Sequence, residues 1–322
     1  MTAAQPIVLV ARGSVACGSW ELRGTGAPRY RGAGPPTKKR RRGRSEGGAC
    51  GAGGECRIVG GWTDVAMSEK REIEQQIQKN LHVPGESSWR QYARLAVGRE
   101  SLGALLRYEL VTGPLSGWPG AAGLWLRRKL YPGLLGGCGR GLIVGRNVTI
   151  RGAANIRLGR NVAIDDNVVL DARGAEASIE LGDGVLISRN TILRARNGRL
   201  AIGAGSDIGA NCLLATDSRL EIGSEVLIAA YVYVTAGGTH RYDDVSRPII
   251  QQGFERKGGV RIGDDVWIGA HSTVLDGVAI GSGCVVGAHS LVNHSLDDRG
   301  VAWGVPAVRR RDRGAPAAPA AP

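Results

Sequence analysis

The feature that most constrains this chain is a period of six. Aliphatic residues recur six apart in seven groups of three, at 138/144/150, 158/164/170, 181/187/193, 202/208/214, 222/228/234, 262/268/274 and 280/286/292. Twenty of these 21 anchors are Ile, Leu or Val, and the exception is Cys138. Gly follows the first anchor of every group, at 139, 159, 182, 203, 223, 263 and 281. The fourth residue after an anchor is most often small or β-branched, as at Val148, Thr191, Val226 and Ser272. A repeat of this regularity decides the fold before any local propensity does.

Six residues make one short strand and one sharp turn, and three such units close an 18-residue triangular coil. One aliphatic side chain per unit points inward and stacks on its equivalent in the next coil, with coils about 4.8 Å apart. Glycine after an anchor permits turn conformations that a side chain would obstruct. The steps between groups are 8, 11, 9, 8, 28 and 6 residues, so additions of 2, 5, 3, 2, 22 and 0 residues all fall after a third anchor. Extra residues confined to one corner are what a solenoid tolerates. A β-sandwich rich in Ile-Gly pairs predicts no such fixed phase. The expected fold class is therefore mainly β, a parallel β-helix of about seven triangular coils over residues 138–300. Only 5% of residues are aromatic, with a single Phe, and 51 are Gly, which suits thin aliphatic layers joined by tight turns.

The net charge of +13 is unevenly placed: residues 1–66 hold eleven Lys/Arg against four Asp/Glu, including KKRRRGR at 38–44. Without any hydrophobic period, this stretch reads as a disordered or mis-assigned basic extension, and no nucleic-acid partner is expected. CRIVGGW at 56–62 resembles the activated terminus of a chymotrypsin-type protease, but no matching Ser, His and Asp set follows. From Met67 the text reads like a natural beginning, with Ile73, Ile77 and Leu81 at helical spacing. Residues 67–137 are expected to be a helical cap region of two helices, the second near Ser88 to Val111, followed by a helical hairpin around Leu110–Leu126 that rests on the protein or, through 103–136, on a membrane surface. Leu110–Leu126 is uncharged but shorter than the ~20 residues of a spanning helix. Residues 301–313 form a basic segment, and 314–322 read as a disordered tail. Six isolated Cys, with no C-x-x-C, exclude a zinc or disulfide framework and fit a cytoplasmic protein, peripheral to the inner face of the membrane if the hairpin contacts it.

Units such as IGDDVW, IGAHST, IGSGCV and VGAHSL resemble the hexapeptide-repeat acyltransferases, which form left-handed parallel β-helices. The section from Ile222 to Arg311 is similar to the galactoside, maltose and exopolysaccharide O-acetyltransferase branch. Its marks are TAGGTH at 235–240, VWIGAHSTVLDGVAIG at 266–281, VVGAHSLV at 285–292 and GVPAVRRR at 304–311. The resemblance implies transfer of an acetyl group from acetyl-CoA to a saccharide or glycan-precursor hydroxyl, without a metal, in a homotrimer with sites between subunits.

Such a transfer needs a base for the hydroxyl proton, donors for the oxyanion and a groove for the acyl carrier. His240 stands six residues after Val234, where the next anchor would have fallen, at the mouth of the 22-residue excursion. Imidazole titrates near working pH, and a histidine replacing an aliphatic at a loop origin is odd for packing, so it is the expected base rather than a structural histidine. The resemblance adds that the His of the family's TGH-like motif is the catalytic base, here with one extra residue in GGTH. Tyr242, Asp243 and Asp244 follow closely, as acceptor contacts or as ordinary loop residues. By resemblance Asp217 contacts the acceptor. Gly209 stands where the branch has an Asn, which leaves Asn211 as the candidate substitute. For the cofactor, the resemblance implies backbone contacts at Ala270 and Ala288, a flanking Trp267 and a phosphate partner in Arg311. A family Arg falls on Val308, beside Arg309 and Arg310.

Two other readings compete. The γ-type carbonic anhydrases share this fold and bind metal through three His, and His271, His289 and His294 are available here. A non-catalytic scaffold binding a partner through its corner loops is the third.

Overall fold

The structure, a computed structural model, describes residues 87–315. The basic extension, the helix expected around Ile73 to Leu81 and the tail beyond residue 315 lie outside the described residues.

All 21 anchors fall in register. On the first face Cys138 pairs with Leu158, followed by Leu181, Ile202, Ile222, Ile262 and Ile280. The second face aligns Val144, Ile164, Ile187, Ile208, Ile228, Ile268 and Val286. The third aligns Ile150, Leu170, Leu193, Leu214, Val234, Val274 and Val292. The faces are sheets of seven, nine and seven strands, parallel throughout the coils. Every anchor but Cys138 is buried, and together they line one continuous core. The anchors thus form an unbroken aliphatic column, as the period requires.

The glycines have a different task from the one expected of them. Those after the first anchors do not adopt left-handed φ. Instead, a Cβ at Gly139, Gly182 or Gly203 would stand 2.5–2.6 Å from backbone of the next coil, closer than real atoms approach. Left-handed φ falls two residues later, three after an anchor, at Asn147, Asn161, Asn167, Asn190 and Asn211 among others. Asparagine tolerates that conformation better than other side chains do. Small polar residues at the fourth position then staple the corners: buried Thr191 donates to the Gly209 carbonyl at 2.7 Å, and Ser272 to that of Gly287 at 3.0 Å.

The second expected helix divides in two. Helix α1 (Ser88–Val97) ends where left-handed Gly98 donates to the Ala93 and Arg94 carbonyls. Helix α2 (Leu102–Leu115) begins on Ser101, whose hydroxyl accepts from the Ala104 amide. Helix α3 (Gly120–Leu130) turns back as the second arm of a hairpin. These helices cover the exposed edge of the first coil. The Tyr108 hydroxyl donates to the Ile150 carbonyl at 2.7 Å, and the Gly152 and Asn147 amides donate to the Leu95 and Ser116 carbonyls. An open sheet edge would otherwise invite pairing with another chain. At the far end, Gly300–Trp303 continues the second face beyond the expected boundary, and Val308–Asp312 pairs antiparallel with it.

Arg127, only 2% exposed, pins the hairpin to the prism. Its guanidinium donates to the carbonyls of Val144, Leu115 and Trp118 at 2.8–2.9 Å. Arg127→Met orphans all three acceptors and is expected to cost about 2–4 kcal/mol. Arg128→Met, on the exposed side of the same helix, should stay within about 0.5 kcal/mol. Urea denaturation of the two variants measures the difference.

Candidate active site

The 22-residue excursion leaves the corner between the third and first faces, as the spacing predicts. Thr239–His240 pairs antiparallel with Phe254–Glu255, so the loop stands on two hydrogen-bonded legs. Buried Asp276 fixes the returning leg, accepting from the amides of Lys257 at 2.7 Å and Gly259 at 2.9 Å. Farther out, Gln252 donates to the Asp244 and Arg247 carbonyls and accepts from the Asp244 amide.

His240 is exposed on the outgoing leg. Its ring lies against Phe254 with centroids 4.2 Å apart and planes inclined at 41°. It is therefore outside the prism, where an inward anchor would otherwise have been. Phe254 is the only Phe of the chain, and that rarity was the one sequence signal for its role as the wall behind His240.

Asp217 lies in the coil beneath, against the root of the loop: a Cβ on Gly237 would meet Asp217 Oδ2 at 3.3 Å. Its Oδ1 is buried with no hydrogen-bond partner. Such an atom is costly to leave unsatisfied and marks a place where a ligand hydroxyl would be welcome. Tyr242 and Asp243 are exposed beyond His240. Asp244 turns inward to the loop itself, accepting from the Ser246 amide at 2.9 Å, the Ser246 hydroxyl at 2.5 Å and Arg247 at 2.7 Å.

Asn211 stands elsewhere, on the edge between the second and third faces. There the left-handed corner residues form a ladder. Asn147 donates to Asn167, Asn167 to Asn190 and Asn190 to Asn211, at 3.0–3.3 Å. Above it Tyr231 stacks on His271, and His271 on His289, each pair with centroids 4.8 Å apart and planes within 7°. These positions all lie three residues after a second-face anchor, so their alignment was legible in the repeat. Their stacking gives His271 and His289 a structural explanation. His294 hydrogen-bonds its neighbour Asn293, and no group of three metal-ligating side chains occurs among the described residues.

Trp267, Ala270 and Ala288 belong to this ladder edge and the second face. Trp267 is half exposed, and the Ala270 carbonyl accepts from the His289 amide. On the terminal hairpin Arg309 is engaged by Asp312 and by the Asp297 and Asp298 carbonyls. Arg311 reaches the Asp312 and Ala315 carbonyls, and Arg310 lies 5.9 Å over the Trp303 ring. One copy thus presents His240, Asp217, Tyr242 and Asp243 on one edge and Asn211, Trp267, Ala270 and Ala288 on another.

The Ser246 hydroxyl, then Arg247, hold the Asp244 carboxyl down at about 2. A depressed value means the contacts persist throughout the range above ordinary carboxylate titration and are lost only as pH falls toward 2. A carboxyl-carbon NMR titration should show that midpoint, moving upward in Ser246→Ala.

The profile of the bacterial transferase hexapeptide family (six repeats) matches residues 259–294. The chain is 38% identical over 100 residues to the probable acetyltransferase Rv3034c of Mycobacterium tuberculosis; the match spans 31% of this chain and 33% of the relative. Among solved structures, a variant of AntD, an N-acyltransferase from Bacillus cereus in complex with dTDP and coenzyme A, is 25% identical over 55% of this chain and 83% of that one, with a TM-score of 0.40. The polySia-specific acetyltransferase NeuO is 21% identical over 55% and 81%, with a TM-score of 0.35. The residues that match the hexapeptide profile, 259–294, lie within the register-aligned coils of the β-helix, and the chain spans about a third of the length of the curated relative it matches.

Proposed function

We propose that this chain is an O-acetyltransferase that moves an acetyl group from acetyl-CoA to a hydroxyl of a saccharide or glycan precursor. The observation that carries this reading is the position of His240, exposed on the outgoing leg of the one long corner loop among the described residues, backed by Phe254 and three residues after Gly237, which lies against Asp217 with its unsatisfied Oδ1. In this reading an imidazole nitrogen takes the acceptor hydroxyl proton while the oxygen attacks the thioester carbonyl. The tetrahedral intermediate expels the thiolate, which recovers the proton from the imidazolium. Asp217, with Tyr242 and Asp243 beyond it, holds the acceptor. Asn211, whose amide oxygen accepts from Asn190 in the ladder, supplies a supporting contact. Coenzyme A follows the edge of Trp267, Ala270 and Ala288, with Arg309 and Arg311 on the terminal hairpin meeting its phosphates.

A site using both edges takes one from each of two copies, which favours the homotrimer. Outward rows support this. On the second face Ile143, Ala163, Leu186, Asp207, Leu227, Trp267 and Val285 align, and burial pushes the Asp207 carboxyl up. The loop also exposes Tyr242, Val245, Ile249 and Ile250, an apolar surface suited to a neighbouring subunit.

His240→Ala should lower kcat about 10²–10⁴-fold with unchanged unfolding. A rate that survives leaves the scaffold reading. Leu227→Glu should shift a trimer to monomers in mass photometry and lower activity in parallel.

Among the described residues no helix is long and apolar enough to cross a membrane. The hairpin exposes Leu102, Leu106, Leu110, Trp118 and Trp125 beside basic Arg128 and Lys129. We read it as a peripheral membrane contact on the cytoplasmic side, in keeping with free Cys138, Cys212 and Cys284. Co-flotation with anionic liposomes, abolished by Trp125→Glu, tests this.

A further inference from the structure

The outer surface of the third face carries a cationic cluster that the reaction above leaves unused. Arg194 lies in register between Asp171 and Ala215, and Arg196 in register with Arg173. Asp171 is already committed to Arg173 through bonds of 2.5 and 2.6 Å. Among the described residues neither Arg194 nor Arg196 is hydrogen-bonded, and Arg194 Nε is buried without a partner. Asp217 follows Thr216, the register partner of Ala195, and so sits beside Arg196 with its Oδ1 equally unsatisfied.

This is an expensive arrangement for a surface with only a structural role. Burial, and then the like charges of Arg194 and Arg173, lower the Arg196 pKa. Residues two apart on one strand project to the same side of a sheet, their backbone positions about 7 Å apart, so Arg194 and Arg196 share the outer surface. Their planar donors suit a phosphate or carboxylate placed between them. Asp217 adds the complementary acceptor, and its other oxygen faces Gly237 at the root of the leg that carries His240.

We infer that Arg194, Arg196 and Asp217 form an acceptor subsite for a saccharide bearing a phosphate or carboxylate, the arginines taking the anion and Asp217 a hydroxyl of the same molecule. The designation as an acceptor subsite rests on the transferase reading; the anion site itself does not. A neutral sugar would leave the facing cations uncompensated, so the cluster selects by charge as well as by fit.

Calorimetric titration of the full chain at constant ionic strength, without acetyl-CoA, tests this with inorganic phosphate and with glucuronate. At least one probe should bind at one site per chain. Arg194→Gln and Arg196→Gln should each weaken it about tenfold or more, while Arg261→Gln on the first face changes nothing. Binding of phosphate alone identifies a phosphorylated or nucleotide-linked sugar, and binding of glucuronate alone an acidic one. No binding of either probe, or binding indifferent to both substitutions, overturns the subsite. If Arg194→Gln fails to fold, exposed Arg196 decides the matter. Because no donor is present, the outcome is independent of acetyl transfer: a dead His240→Ala enzyme alongside failed anion binding removes the subsite and leaves the transferase reading.

Discussion

The stacking of one coil's backbone on the next governs everything else in this molecule. Parallel strands hydrogen-bond at one fixed spacing, and each coil must therefore repeat the path of its neighbour. That requirement explains the seven glycines after the first anchors. At Gly139, Gly182 and Gly203 the adjacent coil leaves no room for a Cβ, so the residue is dictated by proximity between coils rather than by its own dihedrals. It also explains why the aliphatic core is thin and almost free of aromatics.

A stack of this kind has two ends and three edges, and each is handled differently. At one end, α1 to α3 supply hydrogen-bond partners to the first coil, with Arg127 binding the hairpin through three carbonyls. At the other, an antiparallel strand terminates the second face. The edge between the second and third faces carries a ladder of Asn, Tyr and His side chains and no insertions. The corner between the third and first faces lacks such a ladder and takes all of them.

Chemistry collects where the stack permits departure. The long loop brings His240 out of the core column and sets it against Phe254, on a leg whose root at Gly237 lies against Asp217. Beneath it, the third face gathers Arg173, Arg194 and Arg196 against the two carboxylates of Asp171 and Asp217, an excess of positive charge. The ladder edge carries the residues expected to meet the cofactor. Separation of these groups over two edges makes association of copies a requirement of the proposed reaction rather than an accessory to it.

The repeat by itself determined the coil number, the phase of every anchor and the corner from which insertions leave, because a period of six admits no other alignment of the aliphatic positions. It also carried the alignment of Tyr231, His271 and His289, although only their stacked rings explain why histidine is used there. The break between α1 and α2 was written in Gly98 and Ser101 but masked by the apolar periodicity on either side. What only the tertiary structure decided was which side chains meet across coils and across the two legs of the long loop. Phe254 behind His240, Asp217 against Gly237 and Arg196 facing Arg173 are separated by 14 to 23 residues in the chain. Insertions of different length between coils set those separations, so no local pattern encodes them; the fixed vertical spacing of the stack does.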